Sequence, residues 1–417
     1  MTIGMALAVI WHGVQQALGK TYPYNTFLFA PNSRFSDFTD FMKPVMPAGN
    51  YFPSAYLLFA PFRLLPPLAS LAIFEGVCLL ALFLLLQAAL RPLALPRGLL
   101  LLSWLTLLGS YPVLYDLDRG NIEILLAICM AASVLLYSRR QFDLSFLVLM
   151  PAICLKLYPC ALLLLFFRRR LLHWVFLGPV LFVLVNWSVG LIAPKLAVVH
   201  TEPGYKFFYF ISHYVLGQGG ISASADAWNL FRLIVWSVYG WCQHTFTWPL
   251  PNEVALTALA EYVLLALIGG LILTYYVVLI EASPARKALL LLLYLTVSIP
   301  AGGDYKLLHV GIALVILILI KECRRGDWYA VAALALCLIP KREVLLEFMG
   351  NSNSCSPDAS IALILNPLCE LSAMAVLIWN GWGSEGVTYA RHLRKLLGIL
   401  HLATFRVRHP ILSLFKA

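Results

Sequence analysis

Charge is scarce in this sequence, and long polar stretches are missing. Only 12% of the 417 residues are charged. No polar stretch exceeds about 55 residues, whereas a soluble domain typically needs ~100, so a separate globular catalytic domain is excluded. Metal-ligand spacings such as Cys-x-x-Cys are absent, as are a Gly-rich phosphate loop and a Ser-His-Asp arrangement. The sequence therefore offers no motif for zinc, for a nucleotide cradle or for serine-type hydrolysis. Of its nine cysteines, Cys78, Cys129, Cys154, Cys160, Cys337 and Cys369 fall inside apolar runs, where a thiol behaves as a small hydrophobe. No disulfide framework, metal or cofactor is expected.

What is present is apolar. Hydrophobic residues make up 61% of the chain, a composition suited to lipid rather than water. Runs able to cross a bilayer lie near 3–18, 67–90, 99–115, 121–137, 172–193, 252–280, 288–301, 307–321, 328–340 and 360–380. They predict an all-α polytopic membrane protein with about ten transmembrane helices, the shorter runs borrowing from their flanks or packing inside the bundle. The segment 3–18 has no basic n-region or small-residue cleavage site and reads as a retained first span.

The net charge of +10 resides in short clusters beside these runs. They are Arg91 with Arg97, Arg139 with Arg140, Arg168 to Arg170, Arg286 with Lys287, Lys321 with Arg324 and Arg325, and a tail from Arg391 to Lys416. Such clusters anchor cytoplasmic ends, so they imply no nucleic-acid partner, and placing all of them inside puts both termini in the cytoplasm. The chain then divides into a membrane domain over 1–390 and a basic amphipathic cytoplasmic tail over 391–417, which suits an anionic bilayer surface.

Extracytoplasmic connections fall at 19–66, 116–120, 194–251, 302–306 and 341–358. In the first of them, the aromatic and Pro-rich run from Tyr51 to Pro61 is too short to span and predicts an interfacial or half-buried helix. Residues 143–166 lie between two cytoplasmic clusters and are too few for two spans. They predict a re-entrant pair of short helices with Lys156 and Pro159 near its apex, a geometry tolerated where it faces protein or a water-filled cavity.

Five places carry groups capable of chemistry. Asp37 and Asp40 are three residues apart among aromatics at the membrane edge; one serves as a general base toward a hydroxyl, or both merely solvate a loop. In the turn from Tyr115 to Glu123, Arg119 is placed to bind phosphate and Asn121 to orient a sugar or phosphate oxygen; alternatively Asp118 pairs with Arg119 and Asn121 caps the next helix. Lys156 is an ammonium in an apolar run, which costs ~2.5 kcal/mol or more unless it meets a partner or cavity. It binds an anion, snorkels, or pairs with a carboxylate such as Glu370. From Gly302 to His309, Lys306 and His309 share one helix face and would meet a phosphate, unless Asp304 caps the helix and Lys306 is solvated. Trp228 and Asn229 combine an aromatic face with an amide, as carbohydrate sites do and as membrane interfaces also do.

On these residues the chain resembles the polyprenyl-phosphate-dependent glycosyltransferases of the GT-C fold, most nearly glycosyltransferase family 87, with bacterial arabinofuranosyltransferases sharing a related pattern. Asp37 within Phe35-Ser36-Asp37-Phe38 looks like the family's first-loop Asp. Tyr51-Phe52-Pro53-Ser54 leading to Pro61 looks like its Tyr-Pro-Pro-Leu run, with Ser54 at the second Pro. Arg119-Gly120-Asn121-Ile122 looks like its Gly-Gln-x-Asn turn, and Lys156-Leu157-Tyr158-Pro159 before Arg168 to Arg170 looks like its Lys-x-x-Pro break.

The resemblance implies a metal-independent inverting transfer of a hexosyl or pentosyl unit from a polyprenyl-phosphate donor to an extracytoplasmic glycolipid, glycan or protein acceptor, in a bacterial inner membrane. Asp37, or else Asp40, would be the base. Arg119, Lys156, Lys306 and His309 would hold the donor phosphate, and Asn121, Tyr158, Asp304, Trp228 and Asn229 would line the substrate site. Two other readings keep the same charges: a secondary transporter or lipid-linked sugar flippase, and an inert assembly partner of an envelope-synthesis complex.

Overall fold

A computed structural model describes residues 52–90, 121–168, 170–192, 227–243, 251–299, 306–319, 323–339 and 359–384, together with 98, 110, 112–113, 116–117, 215 and 345–346. Apart from turns and short connections, these residues are helical, with two two-residue strands, β1 (Leu345–Leu346) and β2 (Ala359–Ser360), which pair antiparallel.

The order begins with α1 (Pro53–Phe59), a short 3₁₀ helix (Ala60–Leu64) and α2 (Pro67–Leu90). Next come α3 (Glu123–Ser138), α4 (Phe142–Leu155), a 3₁₀ segment (Tyr158–Phe166) and α5 (Leu172–Ile192). Then follow α6 (Ala227–Gln243), α7 (Asn252–Tyr275) running into a π turn (Tyr276–Ile280), α8 (Pro284–Ser298), α9 (Leu307–Leu319), α10 (Trp328–Cys337) and α11 (Ala362–Ser384).

Helices stand where apolar runs predicted them from 67–90 onward. The run 3–18 and most of 99–115 lie outside the described residues. Among the described residues, four helical stretches are long and apolar enough to cross a membrane: Ala72–Leu90, Leu172–Val189, Asn252–Ile280 and Ala362–Trp382. The apolar helices α3, α4 and α10 are shorter. The run from Tyr51 contains the short helix α1, and α6 is a 17-residue helix inside 194–251, where only a loop was expected.

Helix α3 occupies the centre, packed against α2, α4, α8 and α9. Most of its side chains are buried, from Ile124 and Leu126 to Val134 and Tyr137, and the half-buried Leu125, Cys129, Ala132 and Leu136 fall on one stripe. The outer helices behave oppositely: α5 exposes Phe176, Val180, Val183, Trp187 and Leu191, and α7 exposes Leu264, Leu267 and Leu271. Apolar belts of this extent on a water-soluble protein would drive aggregation, whereas lipid accepts them.

Arg286 and Lys287, expected as anchoring charges at a membrane surface, are instead buried. Arg286 donates to Glu281 through Nε at 2.9 Å, to Asp327 through Nη1, and to the Leu377 carbonyl through Nη2 at 2.6 Å. Arg324 adds a second cation to Glu281 at 3.2 Å, and Asn380 donates to Asp327 at 3.0 Å. Two carboxylates and two guanidiniums thus balance in charge and tie together the ends of α7, α8, α10 and α11. Buried charges persist only in such a satisfied arrangement. The same knot explains Gly381, where a methyl group would collide with the Tyr276 hydroxyl.

Candidate functional site

The local sequence favours a break after α4. A helix continued through Pro159 would lack an N–H at that position and drive the proline ring into the Leu155 carbonyl. The chain therefore leaves the helix at Lys156, which is extended at φ −143° and ψ 145°, and resumes as a 3₁₀ segment with Pro159 in its first turn. Lys156 and Tyr158 emerge from this break beside the first turn of α3.

That turn begins with Asn121, whose side-chain oxygen accepts the Glu123 N–H at 3.1 Å, while its own N–H donates to the Asp116 carbonyl at 3.0 Å. Asn121 thus satisfies one of the free N–H groups of the first turn of α3. Glu123 follows in the first turn, where the aligned peptide dipoles favour a negative charge.

Three side chains converge on the fully buried Glu123 carboxylate. Lys156 donates its ammonium to Oε1, and the Tyr158 hydroxyl donates to Oε2. His309, from the first turn of α9, places Nε2 2.8 Å from the same Oε2 and 2.7 Å from the Tyr158 oxygen. A carboxylate only accepts, so the Nε2 atom of His309 carries a proton. Nδ1 is then the buried ring atom with no hydrogen-bond partner among the described residues.

Exposure divides the cluster. Glu123 is 0% exposed and the His309 side chain 2%, but the Lys156 side chain is 17% exposed. The anion is sealed, while the lysine side chain that meets it is half-buried. Among the described residues, no group of three or more His, Cys, Asp or Glu side chains has the arrangement of a metal site.

The structure thus brings Lys156, Tyr158 and His309 together, with Asn121 one turn away. Lys306 is buried at the start of α9, three residues before His309. Trp228 and Asn229 lie elsewhere, on α6. The Trp228 indole is fully buried and donates to the Val215 carbonyl at 2.8 Å, and Asn229 accepts from Arg232 at 3.3 Å. Asp37, Asp40, Arg119 and Asp304 lie outside the described residues.

The carboxylate facing Lys156 is Glu123, not Glu370. Glu123 escaped notice because it ends a polar turn and reads as loop. The available signal was the cost of an acid at the start of a wholly apolar helix, the same cost that singled out Lys156.

No curated protein and no solved structure matches the chain. The family model for glycosyltransferase family 87 matches residues 50–300, a stretch containing α1 to α8, the turn before α3 and the break at Lys156. Because that stretch covers more than half of the 417 residues, the chain belongs to glycosyltransferase family 87.

Proposed function

We propose that this glycosyltransferase moves a sugar from a polyprenyl-phosphate donor to an extracytoplasmic acceptor, with its donor phosphate against Lys156 and Tyr158. The observation that carries this reading is the Lys156 ammonium paired with the buried Glu123 at a break between apolar helices. An ammonium and a phenol fixed in a water-poor site are suited to a leaving group that gains charge, because their dipoles need not reorganise during reaction.

In the proposed step the bond from the anomeric carbon to the phosphate oxygen breaks, and its electron pair stays on the phosphate. The acceptor oxygen bonds to the same carbon from the opposite face, inverting it. Its proton passes to Asp37, or to Asp40, acting as general base. Arg119 and Lys306 would add positive charge around the phosphate, and His309 would hold Tyr158 in place. The lipid tail of the donor would lie among the exposed apolar side chains, with 143–166 as a re-entrant segment that brings Lys156 to the outer leaflet.

The test is sugar transfer by the purified chain in lipid nanodiscs, supplied with labelled polyprenyl-phosphate mannose or arabinofuranose and a panel of hydroxyl acceptors. Transfer by wild type and loss of at least a hundredfold in both Asp37→Asn and Lys156→Met are expected. Movement of an intact lipid-linked sugar across the bilayer without transfer would favour the flippase reading. Full activity in both variants would overturn the mechanism.

A further inference from the structure

The break at Lys156 leaves a carbonyl without its helical partner. In a continued α-helix the Cys154 carbonyl would accept the Tyr158 N–H, but the extended Lys156 removes that N–H from reach. A buried carbonyl left unfilled would favour closing the helix again.

It is filled from two other elements. The Ser54 hydroxyl, on the second residue of α1, donates to the Cys154 oxygen at 2.5 Å. The Asn186 side-chain amide, on α5, donates to the same oxygen at 3.4 Å and to the Phe182 carbonyl at 3.1 Å. The circuit closes because Asn186 Oδ1 accepts the Ser54 N–H at 3.1 Å. Phe52 presses edge-on against Phe182, centroids 4.8 Å apart, and fixes α1 on α5 beside this circuit. Ser54 supplies both a hydroxyl and an N–H; alanine supplies only the second, and proline supplies neither.

We infer that Ser54 and Asn186 are positioning residues that hold the α4 break open and so set where the Lys156 ammonium stands. This inference rests on the reading of Lys156 as a donor-phosphate ligand. The acceptor for two donors lies two residues before Lys156, so the clasp acts on the backbone that aims this side chain. It also ties the break to α1, which belongs to the same connection, 19–66, as Asp37, so the proposed base and the proposed phosphate site share one short stretch of chain.

The experiment compares wild type, Ser54→Ala, Asn186→Leu and Ser54→Thr as full chains in nanodiscs. Donor KM, acceptor KM and kcat are measured with whichever of polyprenyl-phosphate mannose or arabinofuranose the wild type uses, and thermal melting is recorded alongside. Expected is a donor KM raised at least tenfold in Ser54→Ala and Asn186→Leu, an unchanged acceptor KM, and restoration by Ser54→Thr. A loss confined to kcat that follows the melting curve, with Ser54→Thr no better than Ser54→Ala, would overturn the inference, since a smaller folded fraction leaves KM untouched.

A second readout needs no activity. The rate at which Lys156 is acylated by an amine-reactive ester, located by peptide mass spectrometry, should rise at least threefold in Ser54→Ala as its pairing with Glu123 loosens. An unchanged rate overturns the inference by itself. Absence of transfer by wild type, by contrast, counts against the donor reading and leaves the acylation result to decide the clasp.

Discussion

The Tyr158 hydroxyl lies 2.7 Å from Nε2 of His309, although 151 residues separate them in sequence. Both also reach Glu123 Oε2, so one buried oxygen fixes the relative positions of α3, α9 and the segment after the α4 break. A shared acceptor of this kind makes its donors interdependent, and the deletions should be strongly non-additive.

Glu123→Gln keeps the shape of the side chain but leaves Lys156 without its anion. Breaking a buried pair costs about 3–5 kcal/mol, and the partial exposure of Lys156 puts the expected loss near the lower end. Thermal melting in nanodiscs checks this, and a loss below about 1 kcal/mol, the level of a surface pair, would show that the pair is solvated.

The double variant Glu123→Leu with Lys156→Met separates stability from chemistry. Replacing both ions of an isolated pair by apolar groups is often neutral or stabilising, but Tyr158 and His309 also lose their shared acceptor here, so melting should recover only part of the loss seen in Glu123→Gln. Sugar transfer should stay abolished. Recovered transfer would mean that the ions serve folding alone.

Tyr158→Phe removes one donor and leaves packing intact. The expected stability loss is about 1–3 kcal/mol, typical of a hydrogen bond to a charged group. The expected fall in kcat is about 10²-fold, if the phenol stabilises the leaving phosphate as donors in oxyanion sites do. Steady-state transfer kinetics decide between this and a purely structural hydroxyl, whose loss would leave kcat nearly unchanged.

Gly381→Ala should destabilise by about 1–3 kcal/mol, the usual cost of overfilling a packed site, because its methyl group meets the Tyr276 hydroxyl. The Tyr276→Phe background removes that oxygen and should recover part of the loss. Recovery should be incomplete, since Glu281 Oε2 and the ring carbon Cζ of Tyr276 would still stand 2.9 Å from the added methyl. Equal losses in both backgrounds would locate the clash elsewhere.

Much of this was legible in the residues. Apolar runs placed the helices because the lengths that lipid and a buried core demand leave a direct mark on composition. The break at Lys156 was legible because Pro159 disfavours continuing the helix and an ammonium cannot lie idle among leucines. Its partner was not. Glu123 and Glu370 are both acids within apolar surroundings, and only the packing of α3 against α4 chooses between them. Trp228 poses a related difficulty: an exposed aromatic platform and a buried indole bonded to Val215 read the same in sequence, since burial depends on neighbours such as Tyr262 on α7. The clasp of Ser54, Cys154 and Asn186 joins residues 100 and 132 positions apart, and no local pattern encodes such a meeting.

The knot around Arg286 also bears on how the chain is made. Its ligands emerge from the ribosome in sequence: Glu281 just before it, Asp327 some way later, and the Leu377 carbonyl and Asn380 near the end of α11. Until that last helix arrives, the Arg286 guanidinium lacks its Leu377 acceptor and Asp327 lacks its Asn380 donor. Arrival of α11 is therefore the step that completes this set of partners, and a chain ended before Leu377 should hold that guanidinium one acceptor short.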